Sequence, residues 1–413
     1  MKILMSAYSC EPGRGSERGL GWNVAREVAK HHQVWVLTRP DESKAAIEAE
    51  LSRNPIPNLH FVYFTLPFWQ DSLRWGQSGA MQIHYYLWQI QAYFVARRLH
   101  KEIKFDVSHH VTFVKYSSPS FLSLLPIPFI WGPVGGGETA PKPFWQDFSL
   151  KAKAYELARN LVRNLGELDP FVSLTAHKSA LVRVTTKDTA QRLYKMGIKQ
   201  LQITSESSLP ESEIANLSSY KIPDSSPVRF ISMGRLLHWK GFHLGIKAFA
   251  EADLSDGEYW IVGDGAESDR LKALAENLGV AKRIKFWGRL SREATLEKLG
   301  QSHVLVHPSL HDSGGWVCLE GMAARRPVIC LDLGGPAVQV TASTGIKVSP
   351  HNPQQTVREL AQAMQLLAND SELRLAMGQA GHELVTEKFS LEGMGKELNQ
   401  IYEKIADRKK TSA

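Results

Sequence analysis

The sequence has few cysteines and lacks a long hydrophobic run. Its three cysteines, Cys10, Cys318 and Cys330, are scattered and have no Cys-x-x-Cys spacing. This pattern excludes a disulfide framework and a zinc site and predicts reduced thiols in a cytoplasmic protein. No apolar run reaches the roughly 18 residues of a transmembrane helix. The apolar start, residues 1–7, is too short for a signal peptide and predicts a buried strand.

Basic residues are unevenly distributed along the chain. Residues 1–205 contain 25 Lys and Arg against 16 Asp and Glu, whereas the remainder contains 24 against 26. A basic N-terminal half predicts an anionic partner. Lipid phosphates and nucleic acid both carry negative charge. We favour lipid and expect no nucleic acid, because no nucleic-acid-binding module is present and the cations lie among bulky aromatics. A charge that serves only solubility is the alternative.

Short apolar runs alternate with helical patterns, which is typical of parallel α/β layers. At 413 residues the chain is long enough for two domains. We predict an N-terminal domain at 1–205, a Ser- and Pro-rich linker at 206–227, a C-terminal domain at 228–390 and a helix at 391–413 that packs back toward the N-terminal domain. The predicted strands are 1–8, 34–38, 61–64, 107–110, 128–131, 228–233, 259–262, 284–287, 304–308 and 328–331.

A glycine and two cations follow the predicted strand 228–233, in the segment GRLLHWKG (234–241). Gly234 at a strand end lets the backbone approach a ligand closely. Arg235 and Lys240 supply a guanidinium fork and a point charge. A diphosphate leaving group needs such cations, because its oxygens gain negative charge as the bond breaks. An exposed loop with ordinary surface cations is the alternative.

A second glycine motif, HDSGGWVCLEGMAA (311–324), follows the predicted strand 304–308. Its pattern predicts strand, turn and helix, with Gly314 and Gly315 exposing N–H groups to an anion or a hydroxyl. Asp312 precedes the turn, and Glu320 lies about two turns into the helix. One acid would face a sugar and the other a ribose. Asp312 as a helix cap and Glu320 as a solvated charge are the alternatives, although apolar neighbours disfavour the latter.

Together these motifs resemble glycosyltransferase family 4, and the resemblance extends from the N-terminal loop to the final helix. It implies an α/β protein of the GT-B fold, with two Rossmann-like doubly wound domains facing across a cleft, and chemistry that retains the configuration of the sugar. Arg235 and Lys240 would hold the donor diphosphate, Asp312 would replace the family's first glutamate, and Glu320 would be the second. Aspartate is one methylene shorter than that glutamate. Further donor contacts implied are Gly234, Gly314, Gly315, Trp316 and Val317.

The nucleotide base is expected near FWGRL (286–290), with Arg289 and Leu290 as contacts. The identity of the base is poorly encoded in this segment. UDP is the commonest carrier in the family, so a UDP-sugar is the expected donor, with glucose as the first candidate.

The N-terminal half offers three candidate segments. Gly15 and Ser16 follow the first strand and open a helix, where they would approach the donor phosphates. The family places a histidine at the end of the strand near 107–110, which makes His110 the first choice and His109 the second. Gly136 and Glu138, in the glycine-rich segment after the next strand, are candidates for the acceptor side.

Two aromatic and basic segments, 68–104 and 144–165, favour contact with an anionic membrane surface. The alternative is that their aromatic residues line the core or the acceptor cleft. We therefore expect a cytoplasmic enzyme that is peripheral at the inner face of the plasma membrane, with a saccharide or lipid-linked saccharide as acceptor.

The predicted activity is transfer of a hexose to an acceptor hydroxyl in bacterial polysaccharide biosynthesis, with His110, Arg235, Lys240 and Asp312 as catalytic residues. No Asp-x-Asp motif is present, and the cations would neutralise the diphosphate, so no metal or other cofactor is expected. The resemblance implies front-face substitution, in which the departing phosphate takes the acceptor proton.

Four alternatives remain open at this point. One is glycosylation of a small molecule, and another is a related epimerase or hydrolase. A third is a non-catalytic nucleotide-sugar-binding or membrane-scaffold protein. The fourth is an NAD-dependent oxidoreductase, suggested by Gly263 and Gly265 after a strand, but Ser268 occupies the third glycine position of that fingerprint.

Overall fold

The computed structural model describes residues 1–69, 79–113, 115–223 and 226–411. The chain forms two compact units, each made of segments that are separate in sequence. The first contains residues 1–137, 161–206 and 391–413, and the second contains residues 138–160 and 207–390.

The first unit is built on a parallel sheet of seven strands in the order β3-β2-β1-β4-β5-β6-β7. Two central strands, Lys2–Ala7 and Val107–Thr112, are buried on both faces; the first is largely apolar, whereas the second buries two histidines. The strands are β1 (Lys2–Ala7), β2 (Gln33–Thr38), β3 (Leu59–Tyr63), β4 (Val107–Thr112), β5 (Phe129–Val134), β6 (Leu181–Val184) and β7 (Leu201–Ile203). The helices up to this point in the chain are α1 (Ser16–Ala29), α2 (Pro40–Arg53), α3 (Gly79–Ile103), α4 (Leu150–Glu167), α5 (Pro170–Lys178) and α6 (Lys187–Lys195).

The second unit has a parallel sheet of six strands in the order β10-β9-β8-β11-β12-β13. The strands are β8 (Val228–Met233), β9 (Gly257–Val262), β10 (Ile284–Gly288), β11 (Val304–His307), β12 (Val328–Leu331) and β13 (Gly345–Val348). The helices are α7 (Glu211–Ser218), α8 (Phe242–Ala252), α9 (Ser268–Asn277), α10 (Arg292–Gly300), α11 (Trp316–Ala323), α12 (Gly334–Gln339), α13 (Pro353–Asn369) and α14 (Ser371–Lys388). The final helix, α15 (Leu391–Thr411), belongs to the first unit.

Strand order reverses beside the first strand of each sheet. In the second unit, β8 pairs with β9 on one side and with β11 on the other. The segments that leave β8 and β11 therefore diverge and open a crevice at the carboxyl ends of the two strands, where α/β proteins bind ligands. Both C-terminal sequence motifs, 234–241 and 311–324, begin at this point.

The cores explain how distant segments join each unit. Helix α15 contributes Leu391, Leu398 and Tyr402 to a buried cluster with strands of the first unit. In the second unit, Phe144 and Phe148 from segment 138–160 are buried in a cluster with residues of β8 and α8. Burial of these side chains therefore determines which unit each segment joins, even where the segments are far apart in sequence.

The predicted fold class is confirmed, since both units are doubly wound parallel α/β structures. The domain boundaries differ from the predicted ones in two places. Residues 138–160 lie in the second unit and not in the N-terminal domain, because Phe144 and Phe148 are buried there. The expected linker 206–227 contains α7, whose Ile214 and Leu217 are buried in the second unit. Within the described residues, every helix is too short or too polar to cross a bilayer.

Candidate functional site

A groove of about 500 Å³ lies at the carboxyl ends of β8, β9 and β10. Two of its side chains, Arg235 and Arg289, are exposed guanidinium groups. At the groove wall Gly263 has φ 137°, and a Cβ there would lie 1.9 Å from the carbonyl oxygen of Gly234. A side chain at 263 is thus excluded by the backbone of Gly234. The lining residues are Gly234, Arg235, Val262, Gly263, Asp264, Gly265, Arg289, Leu290 and Thr295.

The first motif continues into a 3-10 turn, His238–Lys240, which is fixed against the loop after β11. The N–H of Leu310 donates to the carbonyl of Trp239 at 2.8 Å. Gly241 ends the turn with φ 67°, and a Cβ at that position would lie 1.9 Å from the carbonyl oxygen of Pro308. Glycine is required there by both conformation and space. The two motifs are therefore one structural assembly.

Lys240 and Asp312 form the centre of this assembly. The Lys240 Nζ lies 2.5 Å from Asp312 Oδ2, and His307 Nε2 lies 3.2 Å from the same oxygen. Burial would raise the pKa of Asp312, but the charges and hydrogen bonds of Lys240 and His307 outweigh it and hold that pKa far below its usual range. Asp312 is therefore a carboxylate throughout the physiological pH range. Sequence reasoning missed His307, which ends β11 without a local motif to mark it.

The paired glycines have a different role from the one expected. The N–H groups of Gly314 and Gly315 point to Asp312 Oδ1, at 3.3 Å and 3.2 Å. The carbonyl of Gly314 accepts from Ser207 Oγ at 2.7 Å and from Gln339 Nε2 at 2.6 Å. The turn therefore fixes the Asp312 carboxylate. The N-cap of α11 is Gly315 and not Asp312, and Trp316 and Val317, both partly buried, form the first turn of that helix.

Glu320 is buried on α11, which rules out a solvated helix charge. Its Oε1 accepts from Arg292 Nη2 at 2.9 Å, and the same guanidinium pairs with Glu213. Burial raises the pKa of Glu320, and the nearby Arg292 opposes that rise. Arg292, at the start of α10, thus orients the carboxylate proposed for ribose. No short-range pattern links these residues, so sequence reasoning did not find Arg292 or Glu213.

The two histidines of β4 have different environments. His109 Nε2 lies 2.6 Å from the carbonyl of Gly132 and His109 Nδ1 lies 2.6 Å from the hydroxyl of Tyr402. Both ring nitrogens are therefore engaged within the first unit. His110 is 1% exposed, and its Nε2 lies 3.4 Å from the Tyr85 hydroxyl. Burial lowers the pKa of His110 to about 4, so its imidazole is neutral at pH 7.

The remaining N-terminal candidates lie in different surroundings. Gly15 is the exposed N-cap of α1, and Ser16 is the first residue of that helix. Gly136 belongs to the first unit and has φ 88°, whereas Glu138 belongs to the second unit. Glu138 is buried, and its carbonyl accepts from Arg159 Nη1 at 3.0 Å. The two residues proposed for the acceptor are thus divided between the units.

Comparison with known proteins agrees with this architecture. Residues 218–384 match the family model described as "Glycosyl transferases group 1". Solved structures that cover almost the whole chain have the same fold. The lipopolysaccharide outer core galactosyltransferase WaaB, in its apo form, aligns with a TM-score of 0.63 at 13% identity, over 98% of this chain and 100% of that one. HepE of Anabaena, in complex with UDP and glucose, aligns with a TM-score of 0.57 at 17% identity, over 98% and 100%.

This chain has the GT-B fold, and its residues 218–384 match the glycosyl transferases group 1. Among curated relatives, the lipopolysaccharide core biosynthesis glycosyltransferase LpsE of Rhizobium meliloti (strain 1021) is 34% identical over 42% of this chain and 48% of its own length. The alpha-D-kanosaminyltransferase of Streptomyces kanamyceticus is 31% identical over 44% of this chain and 47% of its own length. The chain thus matches about half the length of these relatives. In this GT-B protein, the family match covers most of the unit that contains the groove and the Lys240–Asp312 pair, but not its segment 138–160.

Proposed function

We propose that this GT-B protein transfers a hexose, with glucose as the first candidate, from a UDP-sugar to an acceptor hydroxyl in polysaccharide biosynthesis. The observation that carries the proposal is the groove with two arginines at the carboxyl ends of β8, β9 and β10. Arg235 and Arg289 line the groove, and Lys240 is fixed nearby by the turn that continues from it. Relatives named for lipopolysaccharide core biosynthesis and a neighbour solved with UDP and glucose support the same class of substrate.

In this proposal the second unit binds the donor from base to sugar. The groove holds the nucleoside and first phosphate, with Arg289 and Leu290 near the base and Arg235 at the phosphates. Glu320, oriented by Arg292, accepts from the ribose hydroxyls. Lys240 binds the second phosphate. An ammonium has three N–H donors, and Asp312 uses one of them.

The reaction proposed is front-face substitution with retention at the anomeric carbon. The acceptor oxygen forms a bond to the anomeric carbon while the bond from that carbon to the phosphate oxygen breaks. The departing phosphate takes the acceptor proton, so no protein nucleophile is needed. Arg235 and Lys240 stabilise the negative charge that develops on the diphosphate, a role that a metal ion has in other enzymes. We propose that His110 contacts the sugar and that the Gly15–Ser16 turn contacts the donor phosphates.

A panel of nucleotide sugars tests the donor. We expect UDP-glucose to raise the melting temperature of the protein and to be hydrolysed slowly without acceptor, in the presence of EDTA. ADP-glucose, GDP-mannose and NAD should have smaller effects. Binding of NAD alone would favour the oxidoreductase, whereas tight binding of UDP-glucose without hydrolysis or transfer to any acceptor would favour a non-catalytic protein.

We further propose that the first unit contacts an anionic membrane, where a lipid-linked acceptor would lie. The C-terminal part of α4 exposes Leu161, Val162 and Leu165, and the segment that follows exposes Leu168 and Phe171. Val162 is 67% and Leu168 is 78% exposed, which is unusual for apolar side chains so close together. Exposed Arg97 and Arg98 on α3 add positive charge to this unit. Trp75, within the first aromatic segment (68–104), lies outside the described residues.

Vesicle flotation tests the membrane contact. The double change Val162→Glu and Leu165→Glu should weaken binding to phosphatidylglycerol-containing vesicles by at least about tenfold, because apolar burial is lost and repulsion is added. The matched control is Leu366→Glu with Leu375→Glu, two exposed apolar residues of the second unit. Equal flotation of both variants, or equal binding of the unaltered protein to phosphatidylcholine alone, would refute the proposal.

A further inference from the structure

A buried carboxylate joins the two donor-site motifs within the second unit. Glu156, on α4, is 0% exposed. Its Oε1 lies 3.2 Å from Nε2 of His238 and 3.2 Å from Nε2 of His311. His238 begins the turn that ends at Lys240, and His311 directly precedes Asp312. One side chain thus holds both segments that carry the central ion pair.

Aromatic stacking fixes the same turn from two sides. The Trp239 ring stacks on Tyr155 with centroids 5.3 Å apart and planes at 8°. It also stacks on His311, at 5.2 Å and 14°. Tyr155 is the neighbour of Glu156 on α4. The turn, the loop before Asp312 and this part of α4 therefore form one packed assembly.

The charges around Glu156 favour an ionised carboxylate. His238 and His311 face it from the two motifs, and Arg159 Nη1 lies 3.8 Å from its Oε2 on the same helix. Burial alone would raise the pKa of Glu156, but the hydrogen bonds of the two histidines and the positive charge of Arg159 outweigh it. The pKa is lowered as a result. An ionised acceptor strengthens both hydrogen bonds.

Another acid attaches the same segment to the second unit in a different place. Asp147 Oδ2 lies 3.4 Å from Lys247 Nζ and 3.5 Å from His243 Nε2, both on α8. The Asp147 carbonyl accepts from Arg270 Nη2 at 2.6 Å. These contacts bind segment 138–160 to helices and not to the donor motifs. Glu156 is therefore not needed merely to attach the segment.

We propose that Glu156 is a positioning residue of the donor site, which sets the place of Lys240 and Asp312 through His238 and His311. This inference rests on the proposed function and deepens it. The Lys240 ammonium is placed by a turn whose first residue is bonded to Glu156 and whose middle residue is stacked on Tyr155. Loss of the carboxylate shifts that turn relative to the groove, and the contact with the second phosphate weakens while nucleoside contacts in the groove persist.

The test compares UDP with UMP, since only UDP has the second phosphate. In Glu156→Gln, the affinity for UDP should fall on the order of 10-fold or more, because even a small displacement of Lys240 is costly at a preorganised site. The affinity for UMP should stay within about twofold. The turnover of Glu156→Gln should fall together with its affinity for UDP. Asp147→Asn is the matched control: it removes an acid–histidine contact of the same segment and should leave the ratio of UDP to UMP affinity unchanged. Melting temperatures of both variants report folding.

The outcomes separate the two levels of the proposal. If the unaltered protein binds neither UDP nor UMP, the proposed donor is wrong, and the role of Glu156 falls with it. If it binds UDP but Glu156→Gln leaves the affinity ratio unchanged, or weakens UDP and UMP equally, the positioning role alone is refuted. Should Glu156→Gln fail to fold, His238→Phe replaces it, since the ring can still contact Phe148 and Tyr155 while the hydrogen bond is lost. The same loss of UDP preference is then expected.

Discussion

Replacing Lys240 by alanine should lower turnover at saturating donor on the order of 10²–10³-fold, the loss expected when a preorganised charge at a leaving group is removed. The ammonium is held 2.5 Å from Asp312 by a turn that requires Gly241. It is therefore positioned before the donor arrives. Charge on the diphosphate rises toward the transition state, so the loss should appear in turnover more than in donor affinity. Steady-state kinetics with UDP-glucose measure it.

Lys247→Ala is the control for that experiment. Lys247 is a half-buried cation on α8 of the same unit that pairs with Asp147. Its removal should leave turnover within about twofold, because Lys247 neither lines the groove nor pairs with Asp312. Near-normal turnover of Lys240→Ala at saturating donor would contradict the assignment of Lys240 to the diphosphate.

Changing Asp312 to asparagine should lower kcat/KM on the order of 10²-fold, because the negative charge that orients Lys240 and meets the sugar hydroxyls is lost. The amide oxygen of asparagine can still accept from the N–H groups of Gly314 and Gly315, which preserves the turn. Kinetics and thermal melting should be measured together. A large fall in kcat/KM with a small change in melting temperature is the expected result.

Asp312→Glu tests whether a negative charge at position 312 is sufficient or whether the length of the side chain also matters. Glutamate is the residue of the resembled family at this position, so this variant should retain kcat/KM to within about tenfold. If glutamate proves as damaging as asparagine, the pocket is built around the shorter acid. If asparagine is harmless, the charge at 312 serves neither Lys240 nor the sugar, and the site assignment is wrong.

The sequence was sufficient to predict the strands and motifs whose signals are local. Apolar runs marked β8 and β12 at their observed bounds, and glycines marked the two turns that follow β8 and β11. The strands that were not predicted, β6, β7 and β13, are as short as β12, but each is interrupted by a polar residue (Arg183, Gln202 and Lys347), so none forms an uninterrupted apolar run.

Long-range contacts were not predictable in the same way. Glu156 lies 82 residues from His238 and 155 residues from His311. Glu320 and Arg292 are 28 residues apart on separate helices. A single sequence has no local pattern for such pairs, because they arise from sheet topology and helix packing. For the same reason, sequence reasoning assigned the amides of Gly314 and Gly315 to a ligand, although Asp312 accepts from both.

The composition of the two units limits how the chain can be divided into fragments. The backbone passes between them after residues 137, 160, 206 and 390. A fragment that stops at 206 would retain Phe144 and Phe148 without their apolar neighbours and would lack α15, which shields α1 and β4. Hybrid proteins assembled from this chain and a relative should therefore move 138–160 together with 207–390. Recombination at a single crossover point would leave both halves with unsatisfied apolar surfaces and a tendency to aggregate.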